Sequence, residues 1–143
     1  MIIVDSNVIA YCWINGPLTA LAQAVRAKDS DWHAPILWRS EMRSILIGYL
    51  RDGSLTEMQI TGIMQAIETA LENREHFVPS TSVFDIAVKS RLSAYDSEFA
   101  ALACVLDVQL VTADKALLKT FPERALTMEA FLKAEAWIPG QTP

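Results

Sequence analysis

The chain begins MIIVDSNVIAYCWIN (residues 1–15), which predicts a short buried strand followed at once by a helix. Residues 2–4 are Ile-Ile-Val, apolar on both faces of the strand, as in a parallel sheet that is covered on both sides. Asp5 ends this apolar run. Ser6 or Asn7 can then cap a helix that reaches about residue 15, where a Gly-Pro pair breaks it.

The alternation of strands and helices continues to the end of the sequence. Further strands are predicted at 32–34, 77–78, 109–112 and 125–127. Further helices are predicted at 17–28, 36–51, 56–72, 82–91, 93–106, 114–119 and 128–135. Thr56 with Gln59, and Ser82 with Asp85, have the spacing of capping boxes. We therefore expect an α/β fold, a three-layer α/β/α sandwich with a small parallel sheet and right-handed crossovers.

Composition favours a globular protein with one domain, predicted to span 1–138, and a frayed tail at 139–143. Hydrophobic residues make up 52% and charged residues 20%, which excludes a disordered chain. No apolar run approaches the roughly 20 residues of a membrane-spanning helix. No signal peptide is predicted either, so we expect a cytoplasmic protein that does not contact a membrane.

Neither the cysteines nor the histidines form a recognisable metal or catalytic motif. Cys12 and Cys104 fall in predicted helices and are expected to be small buried side chains in a reducing compartment. His33 and His76 are far apart in sequence and have no ligand-like neighbours. Zinc chemistry and a Ser-His-Asp triad therefore have little support.

Four carboxylates, Asp5, Glu41, Asp96 and Asp114, stand where this fold would bring them together. Asp5 and Asp114 follow the two most convincing strands, and ligands of open parallel sheets bind beyond the carboxyl ends of the strands. Glu41 and Asp96 lie on predicted helices whose same-face neighbours are apolar or small. The pattern predicts a cluster of four acids at one edge of the sheet.

Each aspartate of this set has a simpler explanation when it is taken alone. Asp5, Asp96 and Asp114 all lie near helix starts, where an aspartate accepts hydrogen bonds from free backbone N–H groups. Glu41 is harder to explain in this way. Ile45 lies four residues further along its helix face, and a buried charge there would be costly without a partner.

A divalent cation is the expected countercharge for the four acids. The net charge is −5, but without these four acids the chain has 13 carboxylates against 12 lysines and arginines, and is nearly neutral. Four clustered acids would repel one another unless a cation or protons neutralised them. Ligation by oxygen atoms alone favours Mg²⁺ or Mn²⁺.

Four segments of the chain resemble the motifs of PIN-domain ribonucleases, and most closely those of VapC-type toxins of toxin–antitoxin systems. They are IIVDSNVIAY (2–11), RSEMRSIL (39–46), SAYDSEFAALA (93–103) and LVTADKALL (110–118). Together they cover nearly the whole chain in the expected order. One departure is Asp107, where such proteins often have glycine; we expect it to affect only a turn.

The resemblance implies a PIN-like fold and a metal-dependent endoribonuclease that cleaves RNA with a metal-activated water. It implies that Asp5, Glu41, Asp96 and Asp114 are catalytic and bind Mg²⁺ or Mn²⁺. By the same likeness, two polar residues, Asn7 and Thr112, would support these ligands or contact substrate. The resemblance also implies a homodimer and a cognate antitoxin, for which the Met-bearing helix 56–72 and its predecessor offer an apolar docking face.

Several charged residues near the motifs have two interpretations each. Glu98 is expected to be exposed to solvent and Asp85 to cap a helix, with metal binding as the less favoured role of either. A further four residues could hold phosphates, although ordinary surface charge is favoured for each: Arg39, Arg43, Arg91 and Lys115.

Two other classes of function stay open. A receiver-like module would bind Mg²⁺ for signalling, but it would need a second aspartate beside Asp5 and a lysine on a late loop, and neither is evident. An inactive PIN-like scaffold would bind partners without catalysis, and the complete set of four acids counts against it.

Overall fold

Five parallel strands form the central sheet of the structure, a computed structural model that describes residues 1–140. The strands are β1 (Ile2–Val4), β2 (Trp32–Pro35), β3 (Glu75–His76), β4 (Leu110–Val111) and β5 (Ala125–Leu126). The helices of this part of the chain are α1 (Ser6–Trp13), α2 (Thr19–Lys28), α3 (Trp38–Arg51), α4 (Glu57–Ala70), α5 (Ser80–Lys89), α6 (Ala94–Val105), α7 (Lys115–Thr120) and α8 (Met128–Lys133). None of these helices is long and apolar enough to cross a membrane.

The strand order is β3-β2-β1-β4-β5, and every neighbouring pair is parallel. The chain builds outward from β1 to β3, then returns and continues outward from β4 on the other side of β1. The gap between β1 and β4 is therefore the switch point of the sheet. Loops leave it in opposite directions there, which opens a crevice at the carboxyl ends of these two strands.

The helices cover both faces of the sheet, which makes the fold a three-layer α/β/α sandwich, as predicted. Because parallel crossovers are right-handed, α1 to α4 lie on one face and α5 and α6 lie on the other. In α3, Trp38, Met42 and Leu46 are buried and spaced by four residues, so one face of the helix packs on the core. In α6, buried Ala100 and Ala103 let the helix press against β1, β2 and β4, as expected.

Some boundaries and caps differ from the sequence predictions. The third strand is Glu75–His76 and not 77–78, and Phe77 is 81% exposed. Helix α5 begins at Ser80 after Pro79, without the predicted capping box of Ser82 and Asp85. The capping box of Thr56 and Gln59 in α4 is confirmed.

Asp107 does more than form a turn, contrary to expectation. Its backbone is left-handed, with φ of 51°, which explains why glycine suits this position. Its side chain accepts hydrogen bonds from Arg124 at 3.1 Å and from the backbone N–H of Gly140 at 2.7 Å. The start of the predicted tail, 139–143, is therefore attached to the domain; residues 141–143 lie outside the described residues.

The predictions for the cysteines and histidines need two corrections. Cys12 is buried as predicted, whereas Cys104 is exposed. His33 and His76 are far apart in sequence but lie on adjacent strands, and His33 Nδ1 is 2.8 Å from His76 Nε2. His33 Nε2 is also 3.0 Å from the carboxylate of Asp31. Burial and the neighbouring His33 lower the pKa of His76.

Arg39 fastens the outer strand β3 to the helices beside it. Its guanidinium donates two hydrogen bonds to Glu75, one of them at 2.8 Å, and a third to Glu68 of α4. Trp38 Nε1 also donates to Glu75, at 2.7 Å. The hydrogen bonds and charge of Arg39 lower the pKa of Glu75. The guanidinium of Arg39 is thus engaged in ion pairs with Glu75 and Glu68.

Replacing Arg39 with lysine should destabilise the fold, because a single ammonium group cannot reproduce the forked contact with Glu75. We expect Arg39→Lys to lose about 1 kcal/mol of unfolding free energy in urea titrations. The matched control is Arg43→Lys, an exposed arginine one turn further along α3. Equal stability of the two variants would show that the forked contact contributes nothing.

Candidate metal centre and active site

A cleft of about 280 Å³ opens at the carboxyl ends of β1 and β4, and all four predicted acids line it. We call it the acid cleft. The side chains that line it are Asp5, Ser6, Asn7, Glu41, Ser44, Ile45, Asp96, Phe99, Asp114 and Leu117. The acids come from four separate segments: the end of β1, the first turn of α3, the first turn of α6 and the loop after β4. The fold therefore brings together the residues that the sequence predicted would meet.

Asp5 is the buried centre of the acid cleft, with 5% of its surface exposed. One carboxylate oxygen caps α1 by accepting the backbone N–H of Val8 at 2.8 Å. The other accepts the hydroxyl of Thr112 and the backbone N–H of Ala113. Burial nevertheless raises the pKa of Asp5 above its usual range, and the charge of Asp114 adds to this shift. The predicted cap of α1 at Ser6 or Asn7 is wrong, because Asp5 itself is the cap.

Thr112 connects two of the acids, in the supporting position that the resemblance implies. Its side chain is completely buried. The hydroxyl donates to Asp5 and accepts the backbone N–H of Asp114 at 2.9 Å. Asp114 in turn caps α7 by accepting the N–H of Leu117 at 2.9 Å. Its second carboxylate oxygen makes no hydrogen bond within residues 1–140, so it is free to face the cleft.

Glu41 is half-buried and held by a serine that the sequence did not single out as a site residue. Ser6, the first residue of α1, donates its hydroxyl to Glu41 Oε1 at 3.0 Å. Burial raises the pKa of Glu41, and the charges of Asp5, Asp96 and Glu98 raise it further, while the hydrogen bond from Ser6 opposes the shift. The expectation of a costly buried charge is met only in part, because Glu41 is half-buried, accepts the hydroxyl of Ser6 and is not on the buried face of α3.

Asp96 lies in the first turn of α6, but it is not the cap of that helix. Ser93 caps α6 by accepting the backbone N–H of Asp96 at 3.1 Å. The carboxylate of Asp96 has no hydrogen-bond partner in the described part of the chain. The cap explanation therefore accounts for Asp5 and Asp114 but not for Asp96 or Glu41. Both residues are acids in the first turn of a helix, where a negative charge is favourable near the helix N-terminus.

Two residues of α6 near the cleft differ from expectation or were missed. Glu98 is partly buried, not exposed as predicted, and burial raises its pKa. Ser97 is fully buried, and its hydroxyl has no hydrogen-bond partner among the described residues.

Two polar residues on other helices also line the cleft. Helical spacing alone could have indicated Ser44, which lies three residues after Glu41 and lines the same cleft. Asn7, a predicted substrate contact, is exposed at the mouth of the cleft.

The acid cleft has no basic partner. None of the ion pairs within residues 1–140 involves Asp5, Glu41, Asp96 or Asp114. Elsewhere, Asp31, Glu75 and Asp107 are each paired with an arginine. Burial is the main cause of the raised pKa values of Asp5 and Glu41, and neighbouring carboxylates raise both further. A bound cation would relieve this repulsion.

The cleft suits a hydrated Mg²⁺ or Mn²⁺ better than a tightly caged ion. Within residues 1–140, no three Asp, Glu, His or Cys side chains converge closely enough to hold a metal ion directly. Both oxygens of Asp5 already accept hydrogen bonds from the protein. Mg²⁺ commonly keeps several waters and binds through only one or two carboxylates. The carboxylate of Asp96 and the second oxygen of Asp114 accept no hydrogen bond from residues 1–140, so they could bind such an ion directly.

The overall fold is similar to a solved structure of low sequence identity. The crystal structure of PAE2754 from Pyrobaculum aerophilum superposes with a TM-score of 0.73, covers 92% of this chain and 93% of that chain, and is 20% identical. At this identity the similarity concerns the fold alone. No protein-family model matches the chain, and no curated protein matches it significantly.

Thr112 should stabilise the fold through its hydroxyl and not through its methyl group. In Thr112→Val the buried N–H of Asp114 and one oxygen of Asp5 lose a partner, so we expect a loss of about 1–3 kcal/mol of unfolding free energy. Thr112→Ser keeps the hydroxyl and should lose less. Urea unfolding of the three proteins checks this order, and a more stable valine variant would contradict it.

Glu41 should destabilise the metal-free protein at neutral pH. Because its folded pKa is raised, the penalty is present at high pH and disappears as the pH falls below the ordinary value of about 4.5. In chelator, Glu41→Gln should raise the melting temperature at pH 7 by roughly 2–5 °C, the effect of about 1 kcal/mol in a chain of this size.

The difference between wild type and Glu41→Gln should vanish below about pH 4.5, where both side chains are uncharged. Added Mg²⁺ should stabilise the wild type by mass action and the variant less. Glu135→Gln, which changes an exposed carboxylate outside the cleft, is the control. A lower melting temperature for Glu41→Gln at pH 7 would sink the idea of an uncompensated charge.

Proposed function

We propose that this chain is a Mg²⁺- or Mn²⁺-dependent endoribonuclease of the PIN-domain kind, acting as the toxin of a toxin–antitoxin pair. One observation carries the proposal. Four acids from separate segments line one cleft at the switch point of the sheet, without a basic partner. The motifs around these acids are the ones in which the sequence resembles VapC-type toxins. The resemblance suggests RNA as the substrate, and the grouping of acids without a basic partner supports a site for a cation.

The residues of the acid cleft would have two roles, metal binding and orientation of the metal-binding acids. Asp5, Glu41 and Asp96 would hold the principal ion partly through its coordinated waters, because no three acids of residues 1–140 converge on one point. Asp114 would complete the site or assist a second ion. When bound, such an ion lowers the pKa of a coordinated water and stabilises negative charge on a phosphate. Thr112 fixes the orientation of Asp5, and Ser6 fixes that of Glu41.

Water is the nucleophile that these residues support. The cleft contains the hydroxyls of Ser6 and Ser44, but no histidine among its described lining residues that could activate them.

Binding of the substrate phosphate would need both Asn7 and the ion. Asn7 is exposed and lines the cleft, so it can donate its amide N–H groups to a phosphate oxygen. The acids would repel an RNA phosphate in the absence of the ion. Substrate binding near the cleft should therefore depend on the metal.

The partners belong to the proposal as well. The apolar cleft of about 410 Å³ between α3 and α4, lined in part by Leu46, Ile47, Ile60 and Met64, fits the helix of a cognate antitoxin. A homodimer and a cytoplasmic location follow from the same family resemblance. The free thiols of Cys12 and Cys104 suit a reducing compartment.

Purified protein, freed of any antitoxin, should cleave single-stranded or structured RNA in Mg²⁺ or Mn²⁺ and lose this activity in chelator. Asp5→Asn and Glu41→Gln should each reduce the rate by more than roughly 100-fold, beyond the loss expected for an outer partner of a metal site. Labelled RNA fragments resolved on gels provide the measurement.

Asp85→Asn is the matched control, because Asp85 is an exposed aspartate on α5 outside the cleft. Its rate should equal that of the wild type. Equal cleavage by Asp5→Asn and wild type would reject the site. No cleavage of any RNA, combined with stabilisation by Mg²⁺, would favour a receiver-like binding module, and no response to either would favour an inactive scaffold.

A further inference from the structure

A second cleft, of about 310 Å³, lies beside the acid cleft between α1, the loop after it and α3. We call it the tyrosine cleft. Its chemically distinctive lining residues are Asn7, Tyr11, Asn15, Ile45 and Tyr49. Its volume is at the lower end of the range for small-molecule sites, which agrees with one nucleotide unit.

The two clefts are continuous. Asn7 of α1 and Ile45 of α3 line both of them. Along α3, Glu41, Ile45 and Tyr49 follow at intervals of four residues, so they lie on the same face of the helix. Because α1 and α3 contact each other, the clefts form one trough, with acids at one end and tyrosines at the other.

The charge of the trough changes sharply along its length. None of the described residues that line the tyrosine cleft is charged. The acid end suits a cation and the phosphate that it attracts, whereas the neutral end suits an uncharged flat ring. Tyrosine side chains stack on bases, and the amides of Asn7 and Asn15 can donate to and accept from the polar edge of a base.

The loop between α1 and α2, which forms one wall of the tyrosine cleft, is held by hydrogen bonds within the protein. The hydroxyl of Thr19 donates to the carbonyl oxygen of Ile14 at 3.0 Å and accepts the N–H of Gly16 at 2.9 Å. These two hydrogen bonds close the loop between α1 and α2. Tyr11 is partly buried, which restricts its ring. A preformed wall reduces the entropic cost of binding a ligand.

We propose that the tyrosine cleft binds the base of a nucleotide that flanks the scissile phosphate. The inference rests on the proposed function, because the phosphate in the acid cleft is what places the base. A base inside a duplex is stacked and paired on both sides and cannot enter such a cleft. Tyr11 and Tyr49 provide the stacking surface, and Asn7 and Asn15 contribute to base preference.

A double-mutant cycle with a single-stranded RNA cleaved by the wild type tests this. The RNA is compared with versions in which an abasic ribonucleotide replaces the nucleotide on one side of the cut, then on the other. On intact RNA, Tyr49→Ala should reduce kcat/KM by roughly 10–100-fold, the usual effect of losing one stacked base. On the RNA lacking the relevant base, the same substitution should change nothing further.

Two control variants separate stacking from folding. Tyr49→Phe keeps the ring and should lose much less activity than Tyr49→Ala. Phe84→Ala removes an aromatic ring that is 62% exposed on α5, away from the trough, and should leave activity unchanged. Unfolding curves for all variants ensure that losses are not losses of fold. Binding of RNA in Ca²⁺, measured by fluorescence anisotropy, should follow the same order as kcat/KM.

Each outcome has a distinct meaning. If the wild type cleaves RNA but Tyr49→Ala cleaves it equally well, the base subsite is wrong and the proposed function stands. If Tyr49→Ala loses as much on abasic RNA as on intact RNA, the cleft does not hold the base and the inference is again overturned. If the wild type cleaves and binds no RNA, the proposed function fails and the base subsite fails with it.

Discussion

The carboxylate of Asp5 is the contact on which the arrangement of this protein depends. It ends the central strand β1, caps α1 and accepts two hydrogen bonds from the end of β4. Three elements thus meet on one buried side chain at the switch point of the sheet. A carboxylate buried to this extent costs several kcal/mol unless hydrogen bonds or opposite charge compensate it. The hydrogen bonds compensate only part of this cost, since the pKa of Asp5 is still raised.

The other acids of the cleft add to this uncompensated negative charge. Glu41, Asp96 and Asp114 approach Asp5 from other elements and add negative charge, while the nearby Arg39 is directed into its pair with Glu75. A protein selected for stability alone would be expected to pair such acids or to replace them. Their grouping at a ligand-binding edge is typical of sites that trade stability for function.

The sequence predicted the fold class and the grouping of the four acids because both depend on short-range signals. Apolar strands ending in Asp5 and Asp114 indicate where side chains leave the sheet, and helical spacing indicates which face Glu41 occupies. What the sequence did not predict depends on contacts between distant segments.

The hydrogen bond from Ser6 to Glu41 and the partial burial of Glu98 require the packing of α1, α3 and α6 to be known. The third strand was misplaced for the same kind of reason. Phe77 has a high strand propensity, but the residues that pair with β2 are Glu75 and His76, and Arg39 of α3 binds Glu75 from outside the sheet.

The outer strands have a consequence for self-association. Both β3 and β5 contain two residues, so each edge of the sheet presents very few unpaired backbone groups. Long exposed edges recruit strands from other molecules and promote aggregation, and short edges are one way in which proteins prevent this. The short outer strands therefore discourage association of copies of this chain through backbone pairing at the edges of the sheet.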